Sequence, residues 1–166
     1  MNTETKDVDA ELRRDLLEPF IAATSAALGE MAGIEVIARA VHRHSASPGV
    51  GDISVAVELT SGTSRLLVLR FPERTAAAIA GRVLAGATQT VDQSLIGDCV
   101  GEVANVIAGQ AKALLAGGRH RFDFSIPRVV AADQWRPPQG LDCLAIACGS
   151  ELGDFEVQLL VTREDA

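Results

Sequence analysis

Apolar residues at three- and four-residue steps open the chain: Leu12, Leu16, Phe20, Ala23, Ala27 and Met31 share one helical face. The spacing predicts an amphipathic helix ending near Gly33, preceded by a polar, aperiodic and flexible tail over residues 1–10. Pro19 lies inside the run, so the helix either divides into two pieces or starts there, with Pro in its first turn. Beyond Gly33 the period drops to two. Ile34, Val36, Ala38 and Ala40 alternate as a strand, and residues 45–51 are rich in turn formers. Ile53, Val55, Val57 and Leu59 alternate again, residues 60–63 supply a turn, and 65–71 form the returning strand of the clearest hairpin in the chain.

Pro72 stops that strand and opens an Ala-rich helix over 73–84. The longest helical pattern, 92–116, is closed by Gly117 and Gly118. Phe122, Phe124 and Ile126 then alternate as a strand up to Pro127, residues 133–140 read as a loop, and 141–147 pairs with 155–161 as a second hairpin. Helices grouped beside antiparallel hairpins predict an α+β fold: an antiparallel or mixed sheet with about three helices on one face. The chain of 166 residues fits one domain over 11–166.

Composition removes several function classes. Lys and Arg number 15 against 22 Asp and Glu, a net charge of −7, which argues against non-specific attraction to nucleic acid or anionic lipid. No apolar run approaches the ~18 residues of a membrane span, and the acidic start is unlike a signal peptide, so a cytoplasmic location is expected. Cys99, Cys143 and Cys148 sit among apolar neighbours and read as buried, reduced thiols. A P-loop, a Gly-x-Ser-x-Gly elbow, His-Glu-x-x-His and a Cys-x-x-Cys pair are all absent, so neither a cofactor nor a metal of its own is expected. His42 and His44 share a strand face without a third ligand nearby, and Arg119, His120 and Arg121 complement a helix C-terminus. Trp135, in a Pro-rich loop, is either a partly exposed anchor or folded back on the core.

The long helix is different. Ile96, Val103, Ile107 and Leu114 fall on one side, flanked by Cys99, Val100, Val106 and Ala111, and that side is expected to face the core. Asp98, Glu102, Asn105, Gly109 and Lys112 form a second stripe nearly opposite, bordered by Gly101. A mid-helix Gly costs about 1 kcal/mol relative to Ala, so helix stability did not select these glycines. Small residues beside a carboxylate and a carboxamide let a partner approach while the longer side chains project. Spacing alone leaves open whether the stripe is a site or the solvated face that any surface helix carries.

The run from Ile96 to Lys112 resembles the signature helix of the CheC/CheX/FliY phosphatases of bacterial chemotaxis. That signature has an Asp or Ser, a Glu four residues on, an Asn three later and a Pro about twenty beyond, matched here by Asp98, Glu102, Asn105 and Pro127. One signature in a chain of this length is similar to CheX and unlike the duplicated CheC.

The resemblance implies a CheX-like fold and hydrolysis of the aspartyl phosphate of a CheY-like receiver domain, whose own Mg2+ serves the reaction. Asn105 would orient the attacking water and Glu102 would pair with the receiver's Lys, while Asp98, Gly101, Gly109 and Lys112 would contact the partner. It further implies a homodimer through sheet edges, for which the strand over 155–161 is the expected edge. The alternative is a CheX-like binding or dimerisation module without turnover.

Overall fold

The computed structural model describes residues 10–45, 53–85, 91–131 and 134–163. Most of the expected tail and most of the turn-rich segment 45–51 lie outside them. The first helix is one rod in three pieces: α1 (Ala10–Leu12), a π-helical turn (Arg13–Leu17) and α2 (Glu18–Ala32). Pro19 sits in the first turn of α2, and the amide of Glu18 donates to the carbonyl of Arg13, five residues back. The widened turn continues the rod across a residue that has no N–H, and α2 begins there with Pro19 in its first turn. Gly33, at φ 65°, closes α2 with its amide on Gly29 and Leu28 carbonyls.

Seven strands follow the hairpin logic: β1 (Ile37–Ser45), β2 (Ile53–Thr60), β3 (Ser64–Phe71), β4 (Asp123–Phe124), β5 (Arg128–Ala131), β6 (Leu141–Gly149) and β7 (Phe155–Thr162). They form one sheet in the order β1-β6-β7-β3-β2-β4, with β5 also on β2, and every pairing is antiparallel. The helices α2, α3 (Glu73–Val83) and α4 (Gln93–Leu115) enclose with one sheet face a core that includes Phe20, Leu28, Ile79, Ile107, Leu67, Ile146 and Leu159. The α+β architecture expected from the sequence is the observed one. On the opposite face Trp135 packs with Leu66, Val68, Cys143 and Leu160, so the folded-back alternative for Trp135 is the correct one.

Four expectations need correction. The strand after Gly33 begins only at Ile37, so Ile34 and Val36 lie before it. β7 lies between β6 and β3, so the strand expected at an edge is interior; β1 occupies one edge, and β4 and β5 the other. Leu114 is 58% exposed while Leu115 is buried, because the core-facing side of α4 rotates toward Ala104, Ala108, Ala111 and Leu115 along its C-terminal half. The strand through Phe124 stops there: Ile126 is 88% exposed, and β5, which the sequence did not predict, begins two residues on. All three cysteines are free and buried. Among the described residues no helix is long and apolar enough to cross a membrane.

Candidate functional site

Helix α4 is fixed at its N-terminus and along one side. Asp92 caps it, accepting the Leu95 amide at 2.9 Å, and Gln93 bonds to Glu73 at the start of α3. Ile96, Val100, Val103, Ile107 and Ala111 are buried in the core. The turns of the helix then carry Asp98, Glu102 and Asn105 outward, within about 60° of arc and about 10 Å of rise. Asp98 and Glu102 are exposed and Asn105 is half-buried. Among the described residues none of the three side chains is drawn into a hydrogen bond or ion pair. Lys112, on the same stripe, is tied instead to Asp123 at 2.6 Å.

The two stripe glycines have neighbours within the chain. A β-carbon on Gly101 would lie 3.5 Å from a Val129 methyl, and one on Gly109 would lie 3.9 Å from the ring tip of Phe124. The segment from Phe124 to Val129 therefore runs antiparallel along the polar face of α4, with Gly97 also beside Val129.

That segment is not a regular strand. Phe124 stands opposite Leu59, and Arg128 opposite Ala56, so four steps on one strand meet three on the other. Ser125 is held to Glu58 by its amide at 3.0 Å and by its hydroxyl, which accepts the Glu58 amide at 3.2 Å. The surplus residue therefore falls at Ile126 and Pro127, opposite Val57, as a β-bulge. Proline suits the position because a bulged residue has no ladder partner to lose. Sequence periodicity could not find the bulge, since alternation through Phe122, Phe124 and Ile126 continues into it; the signal was Pro127 itself.

The other candidates do not assemble. His42 is exposed and His44 half-buried on edge strand β1, and Cys143 and Cys148 are on opposite sheet faces. Among the described residues no group of three or more His, Cys, Asp or Glu is placed to hold a metal ion. Arg119 pairs with Glu11 and Asp15 of the first helical rod, and the buried His120 shares a hydrogen bond with Thr63.

A family profile described as chemotaxis phosphatase CheX matches residues 53–149, which span β2 to β6 and include all of α4. No curated protein matches in sequence. Among solved structures, a chemotaxis protein CheX from Desulfovibrio desulfuricans is 29% identical, with 86% of this chain and 97% of that one covered at a TM-score of 0.75. A putative chemotaxis protein from Desulfovibrio vulgaris Hildenborough is 30% identical, with 86% and 94% covered and a TM-score of 0.74. A CheX from Borrelia burgdorferi, solved as a CheX-CheY-BeF3-Mg+2 complex, has the same fold at 21% identity, with 90% and 99% covered and a TM-score of 0.70.

Proposed function

Because the chain belongs to the CheX family of chemotaxis phosphatases, we propose that it hydrolyses the aspartyl phosphate of a CheY-like receiver domain, with Asn105 orienting the attacking water and Glu102 pairing with the receiver's active-site Lys. The observation that carries this reading is the ridge on α4, where Glu102 and Asn105 project together, one exposed and the other half-buried. The Borrelia relative, caught with CheY, BeF3 and Mg2+, supports a receiver as the partner.

The chemistry asks little of the phosphatase. An acyl phosphate is already activated, its leaving group is a carboxylate, and the receiver brings the divalent cation. What is missing is a water held in line with the phosphorus–oxygen bond, and positioning dominates phosphoryl transfer. A carboxamide accepts a hydrogen bond from the water through its oxygen and donates through its NH2, without adding charge beside a phosphoryl group. Glu102, three residues away on the helix, supplies the charge that a receiver Lys would meet and so fixes the docking register. Asp98 and Lys112 extend that register along the helix. Gly101 and Gly109 keep the ridge low.

In this reading the protein works in the cytoplasm with a protein partner, carries no cofactor of its own and binds neither nucleic acid nor membrane. It pairs as a homodimer through an outer strand, of which β1 is the longer.

The deciding experiment is phosphate release from phosphorylated receiver domains, with binding measured in parallel on the beryllofluoride-activated forms. Wild-type protein accelerates release, Asn105→Ala abolishes the acceleration while binding persists, and Glu102→Ala weakens both. An Asn105→Ala protein as active as wild type sinks the proposal. Binding by the wild type without any acceleration selects the non-catalytic module instead.

A further inference from the structure

Ile126 is 88% exposed, and nothing among the described residues covers it. A lone surface isoleucine is unremarkable in most places. This one is held out by the architecture on both sides. Ser125 is fastened to Glu58, Arg128 is in register with Ala56, and the bulge between them has nowhere to go but outward.

Its height along α4 follows from the contacts of its neighbours. Phe124 lies against Gly109 and Val129 against Gly101, so five extended steps, about 16 Å, run beside eight helical residues, about 12 Å. Ile126, two steps from Phe124, falls level with Asn105. Val129, 42% exposed, continues the apolar edge toward the level of Asp98. The ridge therefore has two strips: a polar one on the helix, Asp98-Glu102-Asn105, and an apolar one on the bulge, Ile126 and Val129. Phe124, half-buried, anchors the near end of the apolar strip.

We propose that Ile126 is a specificity-determining residue for the receiver: it seats in a small apolar depression on the receiver beside the phosphorylated Asp and contributes to binding, leaving the chemistry to Asn105. The inference rests on the receiver-phosphatase reading, and it names a residue outside the helix that supplies docking free energy. A partner that brings its phosphoryl group to Asn105 must cover whatever stands level with Asn105 at the helix edge, so this occupant is continuous with the proposed site. The polar strip sets register through charge, which is long-ranged and tolerant of distance. The apolar knob acts only on contact, so it discriminates among receivers that share the same Lys and Asp chemistry but differ in the shape of the surface around them.

The test uses full-length protein and a panel of purified CheY-like receiver domains phosphorylated with acetyl phosphate, with phosphate release followed over a range of receiver concentrations. Ile126→Ser raises the half-saturating concentration of the preferred receiver about tenfold or more, the loss expected from leaving one isoleucine side chain unburied. Its rate at saturation stays within about twofold of wild type, Ile126→Val retains most of the affinity, and the ranking of receivers flattens. Because the side chain is solvent-exposed, the melting temperature of Ile126→Ser matches wild type and excludes misfolding as the cause. Unchanged half-saturation in Ile126→Ser, with Asn105→Ala inactive in the same assay, overturns the docking role while the phosphatase reading stands. If wild-type protein accelerates release from no receiver in the panel, the phosphatase reading fails first and the docking role falls with it.

Discussion

Glu102 and Asn105 differ in exposure, and the difference suits the separate tasks proposed for them. A half-buried carboxamide has few rotamers to lose when it must hold a water within a few tenths of an ångström, whereas an exposed carboxylate reaches for a mobile ammonium group. Charge pairing at such a rim is screened by salt. Glu102→Gln keeps the shape and removes the charge, so it raises the half-saturating receiver concentration severalfold at low ionic strength. The gap to wild type narrows at high ionic strength, and phosphate-release assays at two salt concentrations measure it. A gap independent of salt is inconsistent with an ion pair. Lys112 behaves differently. Its ammonium is engaged by Asp123, an exposed pair worth about 1 kcal/mol at most, so its release to a partner costs little.

At the scale of elements, the glycines of α4 separate helix stability from docking. An alanine methyl at Gly101 or Gly109 meets Val129 or Phe124 at 3.5 and 3.9 Å, ordinary van der Waals distances. Local packing therefore does not require glycine at either position. Each Gly→Ala change raises stability by about 0.5–1 kcal/mol through helix propensity, read from urea unfolding. The Gly101→Ala,Gly109→Ala protein is then more stable than wild type and a weaker phosphatase, because the methyl groups raise the ridge on which the receiver is proposed to sit. Loss of stability instead assigns the glycines to internal packing. Gly62 is the contrasting case: a β-carbon there would lie 2.4 Å from the Arg121 carbonyl oxygen, so the β2–β3 turn needs its glycine for close backbone approach.

Over the whole molecule, burial of sulfur makes stability depend on alkaline pH. Burial pushes the thiols of Cys143 and Cys148 up to about 12 from an ordinary value near 9, with Glu156 adding to the rise at both. In the unfolded chain both ionise near pH 9 while the folded protein still binds their protons. The folded state thus holds more protons between about pH 9 and 12, and stability falls as pH rises through that window. Urea titrations from pH 7 to 10.5 show a constant midpoint below about pH 8.5 and a declining one above it. Cys143→Ser,Cys148→Ser, less stable at neutral pH, has a flatter alkaline limb. Thiol-reactive probes leave both residues unmodified at pH 8 until urea unfolds the chain.

Much of this organisation is legible in the sequence because local periodicity reports local burial. The 3.6-residue period of α4 identified its core side at Ile96, Val103 and Ile107, and the same period placed Asp98, Glu102 and Asn105 on the opposite stripe. The β2–β3 and β6–β7 hairpins follow from alternation and turn residues. Which strand lies at an edge is not a local property: β7 pairs on both sides because β3 and β6, distant in sequence, close on it, and no pattern within 155–162 reports that. Leu114 and Leu115 are equally apolar, and only the side of the helix on which the core lies decides which one is covered. Most consequentially, the residues that flank the stripe come from a bulge set by mismatched register between β2 and the β4–β5 segment. One chain alone supplies Pro127 and an isoleucine beside it; only the pairing of Leu59 with Phe124 and Ala56 with Arg128 forces that isoleucine out level with Asn105.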